Sequence, residues 1–283
     1  MIKLRIISSK FDLHCHSTYS DGVLRPDDLV RRAARRGVSV LALTDHDETG
    51  GVAEAHRLAA GEGVEIVNGV EISVTWNGQT LHIVGLHIDP AHPELASGLN
   101  GLREGRRRRA EQIADELDKA GVEGSLAGAR AHVTNPELVG RTHFARFLAE
   151  RGHARDVNSV FRKFLVQGKP GHVPHLWAGL EQAVGWIRAS GGMAVLAHPG
   201  RYKLEEPQRC ALLAAFKEAG GAAIEVVTGS HTPAQFQSYA RYAQRYGLLA
   251  SAGSDFHGPG ESYRDLGELP DLPRGCTPVW AAW

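Results

Sequence analysis

The chain has 283 residues, 42% of them hydrophobic, which suffices for one barrel-sized domain or one domain carrying a substantial insertion. Lys plus Arg and Asp plus Glu both number 32, which argues against a binder of bulk nucleic acid or of a membrane surface; any anionic ligand must meet a local cluster. Three scattered cysteines without Cys-x-x-Cys spacing argue against a disulfide framework or thiolate zinc site and fit a reducing cytoplasm, whereas 15 histidines favour metal or acid-base chemistry.

Lys3, Arg5 and Lys10 surround only a short apolar run, without a signal-peptide core, and no apolar stretch is long enough to span a bilayer. A cytoplasmic protein with no membrane partner is expected, and its residues 1–10 are either an ordered first strand or a loose extension. Phe11 and Leu13 then open a strand whose His14 and His16 project from one face, as two nitrogen ligands to one ion must. Pro26 starts a helix with Leu29, Val30, Ala33 and Ala34 on its apolar face, and Gly37 stops it. Residues 38–44 read as a buried strand that ends abruptly in Thr44-Asp45-His46-Asp47. An alanine-rich helix at 51–60 and a strand at 64–70 lead into Glu71. Asn77-Gly78 marks a hairpin between 72–76 and 80–88, placing His82 on its second arm, with His87 as a rival. The two differ by an odd number of positions and cannot share a face.

From about residue 96 the character changes. Residues 102–120 are helical and rich in Arg103, Arg106, Arg107, Arg108 and Arg109; further helical segments follow at 142–151 and 157–165, with no clear strand before Lys169. This reads as a helical insertion, 96–170, of the kind that forms a lid, interrupting a domain made of 11–95 and 171–280. Strand-helix alternation then resumes with a helix at 180–190, a strand at 193–197 ending in His198-Pro199-Gly200, a helix at 206–219 and a strand at 223–227 containing Glu225. A helix at 233–246 and a strand at 248–252 lead into Gly253-Ser254-Asp255-Phe256-His257. Repeated βα units imply an α/β fold with a parallel sheet, either a closed barrel or an open wound sheet.

His14, His16, Asp45, His46, Glu71, His198, Asp255 and His257 all fall at or just beyond the C-terminal ends of predicted strands, the rim where barrel sites assemble. Histidines and carboxylates without cysteine suit Mn²⁺, Zn²⁺ or Fe²⁺, and so many ligands need two or more ions.

Asp12-Leu13-His14-Cys15-His16 with Ser20-Asp21-Gly22, Thr44-Asp45-His46-Asp47, Gly69-Val70-Glu71-Ile72, His82-Ile83-Val84-Gly85, Ala197-His198-Pro199-Gly200 and Gly253-Ser254-Asp255-Phe256-His257 occur in this order. Together they resemble the PHP (polymerase and histidinol phosphatase) family of metal-dependent phosphoesterases. The resemblance implies a distorted (βα)7 TIM-like barrel with a helical cap and two or three divalent ions, Mn²⁺ foremost. It implies that His14, His16, Glu71 and Asp255 bind a first ion, that Glu71, His82 and His198 bind a second, and that Asp21, His46 and His257 bind a third. It selects His82 over His87, and it leaves Asp21 either a ligand or a turn residue. Bridging metals both acidify water and neutralise phosphoryl oxygens, so attack of a metal-bridging hydroxide on a phosphate monoester is the implied reaction. His231 is read as a proton donor to the leaving group, a phosphate contact or a loop residue ahead of Pro233, and Asp45 as a carboxylate that orients a ligand histidine. Glu225 either does likewise or merely ends its strand.

Substrate selection must come from other residues. Arg106 and Arg109 share a helix face, Arg141 opens another helix, and Lys169 and Arg201 sit in glycine/proline loops; paired guanidiniums suit a second phosphate, while Arg107 and Arg108 read as solvated. Leu102 to Arg106, Gly140-Arg141-Thr142-His143 and Gly168-Lys169-Pro170-Gly171 are similar to stretches of bacterial family members that remove the 3′-phosphate of 3′,5′-nucleoside bisphosphates. That resemblance implies a nucleotide substrate, with short RNA processed 5′→3′ as the alternative, and no obligate protein partner. In it His143 contacts phosphate, base or sugar, or simply packs.

Overall fold

The computed structural model describes residues 10–283; residues 1–9, for which a strand or an extension is expected, lie outside the described residues. The strands are β1 (Phe11–Cys15), β2 (Val40–Leu43), β3 (Glu65–Trp76), β4 (Gln79–Leu86), the two-residue β5 (Ala178–Gly179), β6 (Met193–Leu196), β7 (Ala223–Thr228) and β8 (Leu249–Gly253). Seven of them form one sheet in the order β1-β2-β3-β4-β6-β7-β8, with β5 paired to β3 off that path. The sheet nearly closes on itself just past β8. Cys15 bridges Phe256, the His16 N–H donates to the Phe256 carbonyl at 2.9 Å, and the Asp255 N–H donates to the His14 carbonyl at 2.9 Å. This is a distorted barrel rather than an open wound sheet.

The parallel sheet expected from the βα repeats is corrected at one place, the expected hairpin, because β4 runs antiparallel not only to its hairpin partner β3 but also to β6. The cause is local. Asn77 and Gly78 both take positive φ, 46° and 74°, the left-handed pair of a two-residue hairpin turn that reverses the chain. A second correction concerns β3, which is one continuous twelve-residue strand, so Glu71 sits in mid-strand and the outer half carries the hairpin and β5.

Leu13, Val40, Ala42, Val67, Val84, Leu86, Val195, Ala197 and Ala223, drawn from six of the strands and their ends, pack as one buried cluster with Val279. Phe11 stacks on Trp280 with ring centroids 4.2 Å apart. Around the sheet lie α1 (Pro26–Arg35), α2 (Val52–Glu62), α3 (Pro93–Lys119), α4 (Ser125–Arg130), α5 (Arg141–Glu150), α6 (Val157–Val160), α7 (Leu180–Ala189), α8 (Glu206–Glu218) and α9 (Pro233–Tyr246). α3 begins at Pro93, earlier than the apolar pattern suggests, and serves two cores. Leu95, Leu99 and Leu102 join the core of the barrel, whereas Ala110, Ile113, Ala114 and Leu117 join Phe144, Phe147, Leu148, Phe164 and Leu165 in a separate core. That second core is built wholly from residues between 110 and 173. Among the described residues no helix is long and apolar enough to cross a membrane.

Candidate metal centre

Nine side chains converge at the end of the barrel where β1, β2 and β8 finish. His14 lies on β1 and His16 just beyond it, and their Nε2 atoms are 3.2 Å apart. Glu71 Oε2 is 3.4 Å from His14 Nε2 and 3.3 Å from His16 Nε2, and Asp255 Oδ1 is 3.6 and 3.4 Å from the same two atoms. On the other side of Glu71, Oε1 stands 2.8 Å from His82 Nδ1 and 2.9 Å from His198 Nε2. Asp21 Oδ1 faces His257 Nε2 at 3.2 Å, His46 Nε2 at 3.7 Å and His16 Nδ1 at 3.9 Å. His46 also reaches Glu71 Oε2 through Nδ1 at 2.9 Å, a contact absent from the expected ligand grouping.

Such crowding of donors suits a cation. The donors form four groups whose ligand atoms lie within 4.8 Å of one another. Glu71 Oε2, Asp21 Oδ1 and His46 Nδ1 are buried and, despite these short approaches, make no well-directed hydrogen bond, which leaves part of a desolvation cost of about 1–3 kcal/mol per group to be answered. His and carboxylate donors without thiolate fit borderline or hard divalent ions. The carboxylates make the cluster strongly attractive to positive charge. Burial disfavours charge on His16, yet the Asp255 and Glu71 carboxylates outweigh it and lift its pKa to about 10. His198 goes the other way, pushed to about 3 by burial and by the nearby Arg201 charge.

The backbone is shaped for this cluster. His198 and Asp255 both take positive φ, 27° and 56°, a strain that persists only where surrounding packing enforces it. At Gly253 a Cβ would lie 2.3 Å from His14 Cβ, so only glycine lets β8 approach the ligand strand. Glu225, on β7, accepts a hydrogen bond at 2.7 Å from His14 Nδ1 and another from the His198 N–H at 2.5 Å. It thereby leaves His14 Nε2 as the ligand atom. Tyr202 accepts from the His82 N–H at 2.9 Å and donates to the Ala197 carbonyl at 2.8 Å, tying the two ligand strands together. His87, the rival to His82, is exposed and packs against Trp283, with ring centroids 4.4 Å apart.

Two readings are corrected. His231 is no proton donor to a leaving group: its Nε2 accepts from the Gly200 N–H at 2.9 Å, its Nδ1 donates to the Val226 carbonyl at 3.1 Å, and it does not line the pocket. Both nitrogens are spent on backbone, one on the loop at Gly200 and one on β7. Asp45 touches no ligand histidine. Its Oδ1 accepts from the Ser17 N–H at 2.8 Å and the Ser20 hydroxyl at 2.6 Å, and its Oδ2 from the Ser17 hydroxyl at 2.6 Å, so it braces the loop that carries Asp21.

One pocket of about 170 Å³ joins the cluster to Arg106, Arg109, Arg141 and Arg201. Arg106 is held by Asp47 Oδ2 at 2.6 Å and by the Ser73 hydroxyl at 2.8 Å. Arg201 pairs with Asp255 Oδ2 at 2.8 Å. Among the described residues Arg109 donates only to the Val173 carbonyl, at 3.1 Å, and burial together with the Arg141 and Arg106 charges pulls its pKa down to about 9. Arg141 has no carboxylate within ion-pair distance among the described residues and lies over the Phe161 ring, 5.9 Å from its centroid. Phe161 opens a five-residue π-helical turn, Phe161–Leu165, where a plain helix is expected. Trp177 walls the pocket beneath Arg106 and Arg109, 4.8 and 5.5 Å from the two guanidinium carbons. Its role, like that of Asp47, has no signal in the sequence. Lys169 is exposed outside the pocket. His143 reaches the pocket wall, but its Nδ1 accepts from the Gly140 N–H at 3.0 Å and its Nε2 donates to the Ser20 carbonyl at 3.1 Å, which makes it a brace.

The model of the PHP domain matches residues 12–228. The chain belongs to the PHP domain family. A Chromobacterium violaceum protein named 3′,5′-nucleoside bisphosphate phosphatase is 53% identical over 272 residues, covering 96% of this PHP chain and 95% of that protein. The Escherichia coli 5′-3′ exoribonuclease Rnm is 44% identical, covering 96% and 93%. A solved Chromobacterium violaceum structure, described as an amidohydrolase with bound sulfate and no metal, is 52% identical with a TM-score of 0.94, covering 97% of this chain and 95% of that one. The distorted barrel is thus that of the PHP fold, and the metal dependence of the family accounts for the clustered donors.

Proposed function

We propose that this chain is a phosphomonoesterase that removes the 3′-phosphate of 3′,5′-nucleoside bisphosphates, such as adenosine 3′,5′-bisphosphate, to leave the 5′-monophosphate. The observation that carries this reading is the pairing, in one pocket, of a metal-ligand cluster with Arg109 and Arg141, two cations that lack carboxylate partners among the described residues. A pocket with two separate demands for negative charge suits a substrate with two phosphates. The name of the Chromobacterium violaceum relative agrees with it.

His14, His16, Glu71 and Asp255 would hold a first ion, Glu71, His82 and His198 a second, and Asp21, His46 and His257 a third, with Mn²⁺ the preferred metal and Zn²⁺ or Fe²⁺ alternatives. Such ions, when bound, lower the pKa of water and neutralise phosphoryl oxygens. The protein does the rest. Arg109 and Arg141 clamp the distal phosphate, Trp177 holds the Arg106 and Arg109 planes, and Asp47 fixes Arg106 across the pocket. The separate core between 110 and 173 supplies Arg141 and Phe161, so we read that segment as a cap on a barrel made of 11–95 and 171–280. The three cysteines are free, in keeping with a reducing cytoplasm. The exoribonuclease relatives support a second reading, short RNA degraded 5′→3′ in the same pocket.

The test is phosphate release by Mn²⁺-loaded protein from adenosine 3′,5′-bisphosphate, beside its 2′,5′ isomer, 5′-AMP, histidinol phosphate and a 5′-phosphorylated RNA oligomer. Accumulation of 5′-AMP with one phosphate per bisphosphate supports the phosphatase. Mononucleotides from the oligomer with an inert bisphosphate would replace it with RNA decay.

A further inference from the structure

The pocket does not end at the arginine clamp. Thr80, Arg109 and Arg141 line the metal-side pocket and also a second chamber of about 390 Å³, to which Gln167, His172, His175 and Leu176 contribute the outer wall. The chamber contains none of the metal-ligating residues. Leu176 is 81% exposed and Gln167 is exposed, so the chamber gives onto solvent.

A site selective for a terminal phosphate monoester must enclose the far side of that phosphate, because only a wall or an extra cation there distinguishes a dianion from a substituted monoanion. Here the far side is open space, and beyond the two arginines its lining is uncharged, with Gln167, His172 and His175 among apolar neighbours. Burial and the Arg141 and Arg109 charges lower the pKa of His172, and burial, Arg109 and Arg106 lower that of His175, so neither adds a positive charge near neutral pH. A phosphate that carries a further group keeps two non-bridging oxygens and one negative charge, which suffices for a guanidinium contact.

We propose that the enzyme also accepts nucleoside 3′-phosphates whose 5′-phosphate is itself substituted, by a further phosphoryl group or a small ester, with the substituent lying in the chamber bounded by Gln167 and His172. This rests on the reading that the 3′-phosphate lies against the metal cluster and the 5′-phosphate on Arg109 and Arg141. The reaction is the same hydrolysis. The P–O bond to the ribose 3′-oxygen breaks, water oxygen bonds to phosphorus, a water proton ends on the 3′-oxygen, and the 5′ substituent leaves unchanged. Adenosine 3′-phosphate 5′-diphosphate thus gives ADP and inorganic phosphate.

The experiment compares phosphate release from adenosine 3′-phosphate 5′-diphosphate and from adenosine 3′,5′-bisphosphate by the metal-loaded full chain. It is repeated with Gln167→Trp, which fills the chamber from an exposed position and leaves the clamp untouched. The expected result is a kcat/KM for the diphosphate within about tenfold of that for the bisphosphate, falling a further tenfold or so in Gln167→Trp while bisphosphate turnover holds. Independently of the variant, ADP should inhibit bisphosphate hydrolysis competitively and about as strongly as 5′-AMP. Normal turnover of the bisphosphate with the diphosphate slower by two orders of magnitude or so, or ADP far weaker than 5′-AMP, would overturn the chamber and leave the parent function standing. Equal turnover of both substrates in wild type and Gln167→Trp alike would remove the substituent from this chamber. No release from either substrate would instead refute the phosphatase reading itself.

Discussion

Replacing Thr142 with valine should weaken the proposed metal site at Asp21, His46 and His257 without touching any ligand. Thr142 lies in the first turn of α5, and its hydroxyl donates to Asp21 Oδ2 at 2.9 Å, which turns Oδ1 toward His257 and His46. The same helix grips the loop twice more, through Arg146 to the Asp21 carbonyl at 2.6 Å and through His143 to the Ser20 carbonyl at 3.1 Å. Arg146 is itself anchored by Glu261 at 2.7 Å. In Thr142→Val the loop stays gripped, and only the hydrogen bond to the carboxylate is lost. A hydrogen bond to a charged acceptor contributes about 1.5–3 kcal/mol, so affinity for the ion at Asp21, His46 and His257 should fall by roughly one to two orders of magnitude. The assay is metal stoichiometry by mass spectrometry after equilibration at graded free Mn²⁺, with thermal stability of the metal-free protein as the control for folding. Thr142→Ser, which keeps the hydroxyl, should bind as the wild type does. A valine variant that takes up every ion at wild-type affinity would show that α5 packs beside the site without orienting its carboxylate.

Arg141→Met should raise KM for the bisphosphate by about 100-fold, the worth of one charge-assisted phosphate contact, with 3′-AMP turnover unchanged. Its metal-free form should be no less stable, because burial and the Arg106 and Arg201 charges disfavour the lost guanidinium; a fall in melting temperature would refute the view that Arg141 is held against burial and repulsion. Glu225→Gln should weaken metal retention about 10–100-fold on dialysis against a chelator, since His14 loses the carboxylate at its Nδ1. Unchanged retention would reduce Glu225 to a packing role. His231 supplies the pH test. Burial holds its pKa at about 4 in the folded protein, below the usual 6.5, so the unfolded chain binds the extra proton between those values. Stability from this group is therefore complete above pH 6.5 or so and is lost as pH falls toward 4, by up to about 3 kcal/mol. The stability advantage of the wild type over His231→Gln, followed by urea unfolding of metal-free protein, should shrink across that window, and a constant difference would refute the burial argument.

Much of the metal cluster is legible without coordinates. His14 and His16 share a strand face, and His46 and Asp255 follow short apolar runs, so ligand chemistry stands out from the residue types and their positions alone. The hairpin at Asn77-Gly78 is legible for a similar reason, as its two residues tolerate left-handed backbone. The residues that hold the ligands in place are not. Glu225 reads from the sequence as either an orienting carboxylate or a strand residue, and only the fold, by bringing it 2.7 Å from His14, which lies 211 positions away, decides between them. Asp45 and Asp47 differ by two positions, yet one braces a loop and the other fixes an arginine, because Asp47 adopts a positive φ of 51° that no spacing rule anticipates. His231 reads from the sequence as a proton donor, a phosphate contact or a loop residue and His143 as a substrate contact or a packing residue, and only the hydrogen bonds at both nitrogens of each make them braces.

The sequence by itself determined the chemistry available to this protein: which atoms can ligate metal, which strands end beside them, and which helices carry the cations. Those follow from side-chain type and from the short-range periodicity of strands and helices. The tertiary structure alone decided which arginines lack a counter-charge, which carboxylate orients which histidine, and where the pocket continues past the clamp. Each is a distance between residues far apart in the chain, and it exists only once packing has closed the barrel and set α3 and α5 against it.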